Sequence, residues 1–234
     1  MKDKQVVIVG GSGSIGVALA RQLSSQGARL ALTGRDSAKL ASAERAARGI
    51  RAFGCEITSE DSVCEVFSHF DRIDHLVVLA GSSGGGSFME TPANRQRYVL
   101  EERVWGAVHA VRAAVPKMQG GSITLTSGLF SSRPPATGTV MLVTALSAVE
   151  GLARGLAREL APIRVNAVSF GVLRSARHGH MGAEQEAYYQ RLGHSLPIGR
   201  VGDPDHAAQA IVFAMQNDYV TGEVLHVDGG ARLV

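Results

Sequence analysis

Gln5-Val6-Val7-Ile8-Val9-Gly10-Gly11-Ser12-Gly13-Ser14-Ile15-Gly16 is a short apolar run that ends abruptly in glycines. Five residues of this kind fit a buried strand. The following segment, IGVALARQLSSQG, carries apolar residues at helical spacing and stops at Gly27, a residue type suited to a helix C-cap. Gly10, Gly11, Ser12, Gly13, Ser14, Ile15 and Gly16 therefore join a strand to the start of a helix. Backbone N–H groups at a helix N-terminus can face a pyrophosphate, and glycines remove the side chains that would keep it away. In that setting the turn is a candidate dinucleotide-binding element, whereas an isolated glycine turn would be only a flexible link.

The same alternation continues down the chain. Strands are expected at Arg29 to Thr33, Arg51 to Cys55, His75 to Gly81, Ser122 to Thr126, Ile163 to Ser169 and Glu223 to Val227. Between them lie helical patterns: SAKLASAERAAR, SEDSVCEVFSHF, a long helix from about Asn94 to Met118, another running through Leu160, and one from Pro204. A Gly/Ser-rich loop spans Ser82 to Ser87, and a less regular segment spans Gly171 to Ser195. Short apolar strands alternating with helices imply a parallel sheet covered on both faces. Right-handed crossovers then give an α/β doubly wound, Rossmann-type sheet of about seven strands, with ligands at the C-terminal ends of the strands. At 234 residues with no internal repeat or linker, the chain reads as one domain, 1–234.

Composition narrows the function. A formal net charge of +3 is spread along the chain, so a nucleic-acid partner is not expected. No apolar stretch of spanning length is expected either, nor a secretory leader in MKDKQVVIVG, so the expectation is a soluble cytoplasmic protein with no membrane partner. Cys55 and Cys64 are too few for a disulfide framework and read as reduced thiols. His178-x-His180 with a distant His194 lacks a supporting carboxylate pattern, and no metal is expected.

Three later stretches, APIRVNAVSFG (Ala161 to Gly171), PIGRVGDPDHAA (Pro197 to Ala208) and VTGEVLHVDGG (Val220 to Gly230), resemble phrases of the short-chain dehydrogenase/reductase family, and the resemblance covers nearly the whole chain. It implies a small-molecule substrate, a nicotinamide dinucleotide, a substrate lid at about residues 172–196 and a homodimer or homotetramer. The glycine turn departs from the family's commonest TGxxxGxG: Val9 takes the threonine position and Ser14 the third glycine. Gly10-x-x-Gly13-x-x-Gly16 instead matches the spacing of the extended members.

For the nucleotide, the second strand ends Thr33-Gly34-Arg35. A cation there suits a 2′-phosphate, and NADP(H) is favoured over NAD(H); the other reading leaves Arg35 solvated and gives the ribose to Asp36. By resemblance Glu56 stands near the adenine amine, or else is a helix-entrance charge. Ala80-Gly81 resembles the end of the family's NNAG motif, with Val78 and Leu79 replacing both asparagines.

The resemblance also implies a proton donor, a tyrosine with a lysine four residues on, supported by a serine and an asparagine. The register set by Ala148 to Leu152 and Ala157 to Pro162 places Leu142 and Leu146 at the tyrosine and lysine positions. A slip cannot restore them, because no tyrosine lies between Tyr98 and Tyr188 and no lysine follows Lys117. The serine position falls on Gly128, leaving Ser127 as a displaced catalytic candidate or a hydroxyl capping the strand end. The asparagine corresponds to Arg103, the proline of the family's PG pair to Phe170, and the carboxamide-holding threonine to Arg174. The lid holds Arg174, Arg177, His178, His180, Tyr188, Tyr189, Arg191 and His194, of which a tyrosine or histidine could replace the acid, or all simply face water. Tyr98, Trp105 and His109 are expected to pack or to meet a second subunit. Two functions follow: an NADP(H)-dependent oxidoreductase with an atypical active site, or a dinucleotide-binding protein without redox chemistry, acting as sensor, scaffold subunit or tailoring protein.

Overall fold

The computed structural model describes residues 1–46, 49–81, 84–175 and 181–234. Strand β1 (Gln5–Val9) is followed by α1 (Ser14–Ser25), β2 (Arg29–Gly34), α2 (Ser37–Ala46), β3 (Ile50–Gly54), α3 (Glu60–Ser68) and β4 (His75–Val78). The second half runs through α4 (Ala93–Leu100), α5 (Gly106–Ala114), β5 (Ser122–Gly128), α6 (Val140–Glu159), β6 (Arg164–Phe170), α7 (Glu184–His194), α8 (Pro204–Gln216) and β7 (Val224–Val227). All seven strands pair in parallel in the order β3-β2-β1-β4-β5-β6-β7. The chain starts mid-sheet, winds outward to β3, then returns to β4 on the far side of β1. Val9 is level with both Thr33 and Val78, so the reversal of winding opens a crevice directly above β1, where such sheets bind ligands.

Strand periodicity explains the two layers. Val7 and Val9 join a buried cluster under α3, α5 and α6, while Val6 and Ile8 point the other way, toward residues of α1 and α8. Helix α1 ends as its sequence suggests: Gly27 takes φ +79, its N–H reaches Ser24 O, and Ala28 N–H reaches Leu23 O, the Schellman arrangement.

Several sequence expectations need correction. The strand expected through Gly81 stops at Val78, and β5 continues to Gly128. The helix expected to run unbroken from Asn94 to Met118 is interrupted by a π-helical turn at Glu101–Trp105 and tightens into a 3₁₀ turn at Val115–Lys117, where Pro116 cannot donate. Contrary to the expectation about spanning length, α6 has 20 residues and is long and apolar enough to cross a membrane by length and composition. Here Leu142, Ala145, Leu146, Val149 and Ala153 form its buried face.

Buried polar groups fix the strand ends. Arg164 donates to the carbonyls of Ala214, Met215 and Val220, closing the C-terminal end of α8, and the Asn166 amide bridges Val220 O and Glu223 N–H. At the start of β4, buried His75 shares a 2.8 Å hydrogen bond with Ser122 Oγ. Burial pushes the imidazole down from 6.5 to about 4, against the opposing pull of Asp74. A group held below its unfolded pKa gives full stability above 6.5 and loses it as pH falls toward 4. Lowering the pH from 7 to 5 should therefore cost about 2 kcal/mol through this residue, read from denaturant midpoints. His75→Gln should flatten that slope; an equally steep slope in the variant would remove His75 as its cause.

Candidate dinucleotide-binding cleft and active site

At the head of β1 the glycines have separate duties. Gly10 adopts φ +78, and a Cβ there would lie 2.6 Å from Ala80 N, so the turn and the end of β4 approach backbone to backbone. Gly11 N–H donates to Thr33 O at 3.0 Å, and a Cβ on Gly16 would collide with the carbonyl of Gly11. Ser12 fills the space beside Gly34. Gly13 differs: it is the N-cap of α1 at φ −82, ψ 172, and a Cβ built on it meets nothing within 4 Å. Val17 N–H makes the bond back to Gly13 O, so the N–H groups of Ser14, Ile15 and Gly16 precede the helical ladder. No side chain caps this terminus and no acidic residue occupies its first turn. A cradle open at Gly13, faced by helix N–H groups, fits a dinucleotide pyrophosphate. The residues that would hold it are Gly10, Gly11, Ser12, Gly13, Ser14, Ile15 and Gly16.

Past the end of β2 the crevice is polar. Arg35, just past β2, donates through Nη1 to Tyr98 Oη at 2.9 Å and pairs through Nη2 with Glu102 Oε1 at 3.2 Å. Glu56 Oε2 lies 3.8 Å from Nη1, and Glu56 Oε1 accepts from the N–H and hydroxyl of Thr58. Burial works against the guanidinium charge, but Tyr98, Glu102 and Glu56 outweigh it and raise the Arg35 pKa. Asp36 is turned to Lys39 instead, which lowers its pKa, chiefly through the Lys39 backbone N–H.

Farther along, a Cβ on Gly81 would come within 2.8 Å of the Arg103 guanidinium, so Arg103 stands against the end of the Ala80-Gly81 segment. Arg103 and Glu102 both sit on the π-helical turn, a widened turn often found at functional sites. Ser82 and Ser83 lie outside the described residues.

Beside the start of α6 the surroundings are apolar. Leu142 and Leu146, 5% and 3% exposed, pack with Val99 and Ala145, with Leu100, Val104, Phe130 and Met141 around them. Gly128 faces Leu146, whose Cδ1 is 3.6 Å from the position of a Gly128 Cβ. The Ser127 hydroxyl is buried and donates to Glu150 Oε1 at 2.7 Å, an oxygen that also accepts from Ser131 at 2.6 Å. Ser127 is thus engaged between β5 and α6. Beside the leucine cluster, a cavity of about 790 Å³ is bounded by the loop 84–92, by Tyr98 and Val99, and by Thr139, Val140 and Met141. The two loops are tied by Gly86 N–H to Gly138 O at 2.7 Å.

Residues 10–232 match the family model described as enoyl-(acyl carrier protein) reductase. The chain belongs to the short-chain dehydrogenase/reductase family. A human 3-oxoacyl-[acyl-carrier-protein] reductase is 30% identical over 243 residues, covering 99% of each chain. A 3alpha-hydroxysteroid dehydrogenase of Mediterraneibacter gnavus is 31% identical, with 99% of this chain and 98% of that one covered. Among solved structures, a small-chain dehydrogenase in complex with NADPH is 35% identical over the full length of both chains, with a TM-score of 0.84.

Within this short-chain dehydrogenase/reductase, described residues of the segment 172–196, expected to form a lid, are partly committed to one another. Arg174 makes a bidentate pair with Glu186 at 2.6 and 2.9 Å, lies 3.8 Å from Asp203 and stacks over Tyr189, its Cζ 4.8 Å from the ring centre. Tyr189 is buried, and its hydroxyl meets Ser175 N–H and the Gln185 amide. His194 ends α7 on the surface, and Arg177, His178 and His180 lie outside the described residues. Elsewhere, His109 Nδ1 contacts Ile57 O at 3.1 Å and Trp105 is half exposed. Sequence reasoning missed Glu102, Tyr98 and Glu150 as site neighbours. The adjacent acids Glu101-Glu102, in a helix whose apolar pattern points one of them inward, were the available signal for Glu102.

Proposed function

We propose that this chain, read as one Rossmann-type domain, is an NADP(H)-dependent oxidoreductase acting on a small-molecule carbonyl or enone through an atypical active site. The observation that carries the reading is the open cradle at Gly13, facing the bare N-terminus of α1 above β1. Arg35 supports NADP(H), as does the relative whose structure is a complex with NADPH. Bound in this crevice, NADPH would supply hydride chemistry. The glycine turn and α1 would hold its pyrophosphate, Arg35 would take its 2′-phosphate, and Ala80-Gly81 would let it approach the backbone closely. Leu142, Leu146 and Gly128 offer no proton, and the leucines exclude water from that side. A proton for a developing alkoxide therefore comes from water or a polar lid group reaching in from the other side, or the substrate needs little acid assistance. The cavity beside Tyr98 and Met141 gives such a substrate its approach.

The leucine cluster favours a second reading, a dinucleotide-binding member without hydride transfer, because absence of a positioned acid costs about 10²- to 10⁴-fold in rate. In either case we propose a homodimer or homotetramer. On α6 a Cβ at Gly151 or Gly155 would meet nothing within 4 Å, and Trp105 and Val140 are exposed. The discriminating experiment follows NADPH absorbance against a panel of ketones, 3-oxoacyl thioesters and enones. Substrate-dependent oxidation is the expected result; NADPH that binds yet is never oxidised would favour the second reading.

A further inference from the structure

Arg35 leaves the end of β2 on one wall of the crevice and finds Glu102 and Tyr98 on the other, so its guanidinium lies across the adenosine end. The two partners differ in setting. The Glu102 side chain is 3% exposed, whereas that of Arg35 is 54% exposed. A buried carboxylate is fixed by its surroundings, while an exposed guanidinium on a long stem can swing. Glu56 lies 3.8 Å from the same guanidinium. A 2′-phosphate arriving there competes with Glu102 for the guanidinium.

We propose that Glu102 is a specificity-determining residue for the nucleotide: it serves as the internal counter-anion of Arg35, and a 2′-phosphate gains the guanidinium only by displacing it. The inference rests on the reading of Arg35 as the 2′-phosphate residue. Discrimination is then set by a competition. A nucleotide with a free 2′-hydroxyl leaves the Arg35–Glu102 pair intact and gains nothing from Arg35, whereas a 2′-phosphorylated one breaks it in exchange for a charge-assisted pair of its own. Since its neighbours raise the Arg35 pKa, the exchange proceeds by movement of a charged side chain and not by its titration. The π-helical turn carries both Glu102 and Trp105, the sole tryptophan of the chain, so the exchange has a built-in optical reporter.

The test titrates NADPH and NADH against Trp105 emission in the full chain and in Arg35→Ala, Glu102→Gln, Tyr98→Phe and the Arg35→Ala/Glu102→Gln double variant. Glu102→Gln should tighten NADPH by about ten-fold and leave NADH within about two-fold. Tyr98→Phe, a mild change at a half-exposed site, should shift NADPH the same way by about two-fold, and it carries the test if Glu102→Gln fails to fold. In the double variant the gain should vanish, because the effect of Glu102 on the phosphate runs through Arg35. Should Arg35→Ala weaken NADPH alone while Glu102→Gln leaves the NADPH/NADH ratio unchanged, the role of Glu102 is overturned and the phosphate reading stands. A rise in affinity for both nucleotides on Glu102→Gln also overturns it. Equal weakening of both nucleotides by Arg35→Ala overturns the phosphate reading, and the role of Glu102 with it.

Discussion

Leu142→Tyr combined with Leu146→Lys is expected to raise NADPH-dependent carbonyl reduction by about 10²-fold or more, the range a positioned general acid supplies. The two positions are one turn apart on the buried face of α6, so the side chains lie together, next to the space opened by Gly128. An ammonium brought close to a phenol favours the phenolate and lowers its pKa, while burial lowers that of the lysine itself. Removing two leucines from the cluster with Val99, Ala145 and Met141, and burying a charge there, should cost about 2–5 kcal/mol. Thermal unfolding must therefore accompany the rates. Leu142→Tyr alone should recover only a small part of the gain. A folded, NADPH-binding double variant that turns over no faster than the parent would contradict the placement of the reacting atoms beside α6.

Gly13→Val is expected to weaken dinucleotide binding by at least about 10²-fold while leaving the fold almost untouched. The backbone at Gly13 is extended, which any residue adopts, and its Cβ direction is empty. An N-cap change of this kind costs only about 0.5–2 kcal/mol. Gly10 and Gly16 are needed by the protein itself, one for its positive φ and its closeness to Ala80, the other for its approach to Gly11. Glycine at 13 has no such internal reason, and its use is explained by what lies outside the protein surface. Calorimetric titration with NADPH beside a melting curve separates the effects. Unchanged affinity in the valine variant would move the phosphate site away from the turn.

Local chemistry was readable from the chain. The alternation of strands and helices, the Gly27 stop and the glycine turn each depend on neighbours within a few residues and appear in the expected order, while several element ends shift and α7 forms inside the segment 171–195 expected to be less regular. The doubly wound topology of about seven strands followed from the alternation and the handedness of crossovers, and the structure adds the strand order. What could not be read depends on distant partners. Arg35 meets Tyr98 across 63 residues, and Ser127 is engaged by Glu150 across 23. Neither pairing leaves a mark in spacing. The π-helical turn escaped because one extra residue in a turn leaves a long apolar pattern nearly intact. The stopping of β4 at Val78 escaped because apolar Leu79 and Ala80 continue the strand pattern while the backbone turns toward Gly10. At the positions that the resemblance aligns with the family's tyrosine and lysine, the structure adds that Leu142 and Leu146 close into a packed cluster.

The central claim is that the crevice above β1 holds a nicotinamide dinucleotide on the glycine turn. Calorimetric titration of the unmodified chain with NADPH, NADP⁺, NADH and NAD⁺ tests it most directly. Saturable binding at one site per chain, tightest for the 2′-phosphorylated pair, is the predicted result. An absence of binding by all four would contradict it.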